Sequence, residues 1–155
     1  MTVRRSKPVT ILIAEDDPDD RMLLQDAFDE SRISNELRFV EDGEQLLAYL
    51  RREGKYAESD NAPFPGMILL DLNMPRMDGR EALGIIKGDP ALQRIPIIVL
   101  TTSKAESDIV STYGLGVSSF ISKPVTFAGL VEVVQALGHY WIEIVELPPE
   151  HAATA

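Results

Sequence analysis

The sequence predicts an α/β domain: a doubly wound parallel sheet with helices on both faces. Three observations predict it. Short apolar runs alternate five times with segments of helical period. Three of those runs are solidly apolar, as parallel strands covered on both faces must be. Chemically active residues follow the runs at what would be one edge of the sheet, where open α/β sheets place their sites.

The first strand is expected over Val9 to Ala14, with Asp17-Pro18 as cap and first position of a helix. That helix turns Leu24, Ala27 and Phe28 inward and ends near Ser31. Leu37 to Val40 alternates, as an edge strand does, and Asp42 caps a second helix, with Gln45 in a box-like position. This helix buries Leu46, Leu47 and Leu50. A long polar connection from Arg51 to Pro65 leads to a strand starting at Met67, then to a helix from Asp78 to Lys87. After a break at Asp89-Pro90 come a strand at Ile97, a helix from Ala105 to Tyr113, a short strand from Ser119 to Ser122, and a last helix from Thr126 to about Leu137. The second and fifth strands are the shorter and more polar, so they belong at the edges. The flavodoxin-like order 2-1-3-4-5 satisfies this.

At 155 residues the chain fits one domain. A net charge of -10 argues against the basic surface of a nucleic-acid-binding protein, and the absence of cysteine excludes disulfides, thiolate metal sites and cysteine nucleophiles. No apolar run approaches the roughly 18 residues of a membrane span. The N-terminus carries no apolar signal stretch. A cytoplasmic protein is expected.

Asp71 ends the run Met67-Ile68-Leu69-Leu70 and precedes a Pro-containing loop. A strand-end carboxylate can simply cap a loop, but it can also attack a phosphoryl donor and form an acyl phosphate. Glu15-Asp16 follow the first strand. The neighbouring Asp17, Asp19 and Asp20 suit a helix N-terminus, whereas Glu15 and Asp16 precede the cap. Carboxylates converging on Asp71 would repel one another unless a cation neutralised them, and a hard divalent ion, Mg²⁺, is expected. The backbone carbonyl of Asn73 is a further candidate ligand. Thr101 offers a hydroxyl to a phosphoryl oxygen, and Lys123, held extended before Pro124, offers a point charge. A strand-end Thr or a Lys before Pro is individually unremarkable. Four such signals at the same end of four strands are not.

Glu15-Asp16, Asp71 with Met74-Pro75 and Asp78-Gly79, Thr101 and Lys123-Pro124 together resemble the response-regulator receiver domain of two-component signalling. The resemblance runs from about Val9 to Leu137. It implies phosphorylation of Asp71, with Thr101 and Lys123 assisting, and Mg²⁺ held by Asp16, Asp71 and the Asn73 carbonyl with Glu15 in support. It also implies a cis peptide before Pro124. Phe120 occupies the place of the aromatic switch that the family couples to the threonine; an ordinary core Phe is the equal alternative. More narrowly, Asp78-Gly79-Arg80-Glu81, Leu100-Thr101-Thr102-Ser103, Lys123-Pro124-Val125, the long loop before Met67 and the tail from Tyr140 are similar to single-domain regulators paired with phytochrome histidine kinases. The implied partner is a sensor histidine kinase, with a bacteriophytochrome as the particular candidate.

The expected organisation is an N-terminal extension over 1–8, the receiver domain over 9–138 and an apolar C-terminal extension over 139–155. The tail carries Tyr140, Trp141, Ile142, Ile144, Val145 and Leu147. It can fold back on its own domain or cover a partner. The expectation is a homodimer through the tail, the helices near 105–113 and 126–137, and the last strand. Signal output is then by protein contact, with a phosphorelay intermediate serving a histidine phosphotransfer protein as the alternative. An aspartate-nucleophile phosphatase is disfavoured. It needs a second Asp two residues after the nucleophile and a Thr beyond, where this chain has Asn73 and Pro75. A flavin carrier is disfavoured because acids stand where the phosphate loop should be. Turnover of an external substrate is not expected.

Overall fold

The computed structural model describes residues 9–33, 35–58, 62–72, 74–101, 119–122 and 126–137, with the backbone alone at 100–101 and 119–122. Five strands, β1 (Thr10–Ala14), β2 (Leu37–Val40), β3 (Pro65–Asp71), β4 (Ile97–Thr101) and β5 (Ser119–Ser122), form one parallel sheet in the order 2-1-3-4-5. Among the described residues the α-helices are α1 (Pro18–Glu30), α2 (Gly43–Arg51), α3 (Gly79–Lys87) and α4 (Phe127–Leu137). The helix expected over Ala105 to Tyr113 and the peptide before Pro124 lie outside the described residues.

The period of two along each strand divides the core. Ile11, Ile13, Met67, Leu69 and Ile98 face one side, where they pack with Leu24, Ala27 and Phe28 of α1 and Leu130, Val134 and Leu137 of α4. Leu12, Ala14, Ile68, Leu70, Ile97 and Val99 face the other, against Leu46, Leu47 and Leu50 of α2 and Ala82, Leu83 and Ile86 of α3. Each fully buried Leu or Ile contributes about 1.5–3 kcal/mol by leaving water. The solid apolar strands are therefore the ones that both helix layers cover, and β2, more polar, lies at an edge.

Two caps, Asp17 and Asp42, are those the sequence predicts; Asp78, expected as the first residue of its helix, is the cap of α3. Asp17 accepts from the N–H groups of Asp19 (2.8 Å) and Asp20 (3.4 Å). Asp42 accepts from Gln45 N–H at 2.8 Å, and Asp78 from Glu81 N–H at 3.0 Å. Gln45 Oε1 in turn accepts from Glu41 N–H (2.9 Å), one residue earlier than a standard capping box. Element ends otherwise differ from expectation by at most one residue, and the largest difference is at β3, which begins at Pro65, two residues before Met67. Proline is tolerated as the first residue of a strand, and Gly66 then lies so close to Val9 that a Cβ would stand 2.5 Å from its Cβ.

The described parts of the 51–65 connection, 51–58 and 62–65, carry local contacts of their own. Arg52 ends α2 in the left-handed region (φ 57), and a 3-10 turn follows at Gly54–Tyr56. The buried Tyr49 hydroxyl donates to the Pro63 carbonyl at 2.7 Å, and burial pushes its pKa up to about 12. Among the described residues no helix is long and apolar enough to cross a membrane.

Candidate functional site

The strand register carries the predicted groups to one edge. Ala14 pairs with Leu70, so Glu15 follows β1 at the level of Asp71, the last residue of β3. Asp71 pairs with Leu100, which puts Thr101 one residue further along β4, opposite Ser122. Phe120 pairs with Val99 in the middle of β5. Asn73, Lys123 and the tail residues Tyr140, Trp141, Ile142, Ile144, Val145 and Leu147 lie outside the described residues.

Glu15, Asp16 and Asp71 each bring a carboxylate oxygen within 4.8 Å of the others. Glu15 is 2% exposed and Asp71 7% exposed, with Asp16 half-buried. Surface acids often cluster without consequence. Here two of the three are withdrawn from water, where mutual repulsion is least screened and a counter-charge is most favourable. Hard oxygen donors from the turn after β1 and the last residue of β3, at the rim of the sheet, fit a divalent cation that keeps some of its waters. The structure thus brings together the three acids that the sequence expectation places at one edge.

Local structure explains the placement. The Glu15 N–H donates to Val40 O at 2.9 Å, so the chain stays in ladder geometry one residue past β1 before turning. The Asp17 N–H then donates to Glu15 Oε2 at 3.3 Å, turning the side chain back over the start of α1. Beyond Asp71, the chain makes a loop closed by the Gly79 N–H donating to Leu72 O at 3.0 Å. A Cβ at Gly79 would stand 2.5 Å from the Asp71 carbonyl oxygen and 2.8 Å from Leu72 Cα. Asp78-Gly79 thus serves two needs, a cap for α3 and the close approach of its first turn to the end of β3.

Sequence reasoning missed one pair beside the site. Asp42, 1% exposed, accepts from Arg76 Nε at 2.7 Å, while Arg76 is 59% exposed and left-handed (φ 61). Burial opposes ionisation of Asp42, but the Gln45 N–H and the Arg76 guanidinium outweigh it and hold the carboxyl below its ordinary value. The sequence marked Asp42 as the cap of α2, but neither its burial nor its partner, 34 positions away, has a local signal.

Residues 11–135 match the response regulator receiver domain family. The chain is 40% identical to response regulator Rcp1 of Synechocystis sp. over 148 residues, 96% of this chain and 99% of that protein. It is similar to the crystal structure of the phosphorylated cyanobacterial phytochrome response regulator RcpA, with a TM-score of 0.82 and 42% identity over 89% of this chain and 96% of the other. It is likewise similar to the Mn²⁺-bound form of Rcp1, with a TM-score of 0.79 and 41% identity over 88% and 96% of the two chains. Fold order, acid cluster and sequence agree, and the chain belongs to the response regulator receiver domain family.

Proposed function

We propose that this receiver domain accepts a phosphoryl group on Asp71 from a sensor histidine kinase of the phytochrome class, with Mg²⁺ as the working ion. The observation that carries the reading is the convergence of Glu15, Asp16 and Asp71 within 4.8 Å at the carboxyl edge of the sheet. Asp71 is the nucleophile, because it ends the central strand and stands between the two other acids and the end of β4. Its carboxylate oxygen bonds to phosphorus as the P–N bond to the kinase histidine breaks, and the imidazole leaves with the bonding pair. Asp16 and Asp71 would hold the cation, with the Asn73 carbonyl as the proposed third donor and Glu15 in support, and the ion would offset the charge of a polyanionic donor. Thr101 and Lys123 are proposed to receive the phosphoryl oxygens, and Phe120 to respond with Thr101 as a switch.

The kinase class rests on likeness. The similar protein RcpA is a phytochrome response regulator, and identity at this level extends over nearly the whole chain. The proposed setting is the cytoplasm. The proposed output is protein contact by a homodimer, with receiver residues 9–138 flanked by extensions at 1–8 and 139–155 and the tail in the interface. A role as a phosphorelay intermediate is the alternative output. External substrate turnover finds no support, since the positions of a phosphatase's general acid and its following Thr are Asn73 and Pro75.

Incubation with an autophosphorylated, radiolabelled phytochrome histidine kinase tests the reading. Label should pass to the wild type within the kinase's own decay time and never to Asp71→Asn. Transfer no faster to this chain than to an unrelated receiver would overturn the kinase class.

A further inference from the structure

The turn between β2 and α2 touches both acid-bearing segments. On one side Val40 O accepts from the Glu15 N–H at 2.9 Å. On the other, the Gly43 N–H donates to Met77 O at 2.8 Å, and Asp42 Oδ2 accepts from Arg76 Nε at 2.7 Å. Four consecutive residues, 40 to 43, thus span from the Glu15-Asp16 loop to the loop that follows Asp71. The fit at Gly43 is tight, since a Cβ there would stand 2.6 Å from Met77 O. Arg76 holds a left-handed backbone, an arrangement that is unfavourable for a non-glycine residue. The Asp42 contact helps offset that cost, because a bond from a cation to a buried carboxylate is among the stronger ones.

We propose that Asp42 and Arg76 are positioning residues that set the spacing of the acid cluster. The inference rests on the reading of Glu15, Asp16 and Asp71 as the cation site. Neither residue touches the cation or the phosphoryl group. Their pair anchors the middle of the loop after Asp71, while the Gly79–Leu72 bond closes its base and Val40 fixes Glu15 across the gap. A released loop lets Asp71 turn away from Glu15 and Asp16, so affinity for a divalent ion falls although the sheet remains intact.

The test uses the full chain as wild type, Asp42→Asn, Arg76→Asn and the double variant. Asn is as good a helix cap as Asp and tolerates the left-handed region, so each single change removes the ion pair and spares the backbone. Mg²⁺ dissociation constants come from calorimetric titration, and unfolding midpoints are taken separately in chelator. Each single variant should bind Mg²⁺ about tenfold more weakly, at the low end for residues that orient a ligand rather than act as one. The double variant should be no weaker than the worse single, because both changes remove one interaction. Affinities within about twofold of wild type, or losses that multiply in the double variant, would overturn the proposal even if the unfolding midpoints fall. A wild type that neither binds Mg²⁺ nor takes phosphate at Asp71 would remove the underlying reading as well. A wild type that does both beside unaffected variants would remove the positioning role alone.

Discussion

Gly79 stands so close to Asp71 that a Cβ on it would lie 2.5 Å from the Asp71 carbonyl oxygen. The first turn of α3 is thereby pressed onto the end of β3, and the backbone of the proposed nucleophile forms part of the packing. Gly79→Ala forces backbone against backbone, which no side-chain rotation relieves. Unfolding in denaturant should show a loss of about 1–3 kcal/mol. Phosphorylation by acetyl phosphate should slow as well, since Asp71 is the residue that has to move. A variant as stable as wild type would show that α3 can slide away freely.

Mg²⁺ should stabilise the protein by relieving repulsion among Glu15, Asp16 and Asp71. With an affinity on the order of millimolar, ~10 mM ion adds about 1.4 kcal/mol by mass action. Asp16→Ala should remove most of that gain while leaving stability in chelator nearly unchanged or raised, because one repelling charge is gone. Thermal melts at matched ionic strength measure both, and a wild-type midpoint indifferent to Mg²⁺ would contradict the metal site.

Asp42 should mark the acid limb of stability. Its folded pKa is depressed below the usual 3.8, so its contribution is fully present above that value and is lost as pH falls through the lower folded value. Asp42→Asn removes the titrating group. The stability difference between wild type and variant should therefore be constant from neutral pH down to about 4 and shrink below it. Denaturant midpoints across that range check the sign; a gap that widens towards acid would contradict it.

Removal of the residues after Gly138 should shift a dimer towards monomer without loss of phosphorylation at Asp71. The tail from Tyr140 to Leu147 holds six large apolar side chains, including Trp141, and an apolar run of this kind favours a covered position. Sedimentation of both chains at equal concentration measures it. A wild type that sediments as monomer, phosphorylated or not, would leave the tail on its own domain.

Much of this was legible in the sequence because it follows from local rules. Ile11 to Ala14, Ile68 to Leu70 and Ile97 to Val99 had to be covered on both faces, and they are. Asp17 and Asp42 were expected to cap helices, since each directly precedes a helical period, and they do. The convergence of Glu15, Asp16 and Asp71 followed from strand order alone. What stayed hidden depends on contacts distant in sequence. Nothing in the chain pairs Asp42 with Arg76, 34 positions apart. Nothing local announces left-handed backbone at Arg52 and Arg76, where glycine or asparagine would be the usual sign. The early start of β3 at Pro65 depends on Val9 lying against Gly66, again a long-range fit.

The central claim is that Asp71 is the phosphoryl acceptor and needs the cation beside it. Intact mass after treatment with acetyl phosphate tests it most directly, with wild type and Asp71→Asn each run in Mg²⁺ and in chelator. The account predicts one added phosphoryl group on wild type in Mg²⁺, and none on wild type in chelator or on Asp71→Asn in either condition. Equal labelling of Asp71→Asn would contradict the assignment, and equal labelling of wild type in chelator would contradict the metal's part in it.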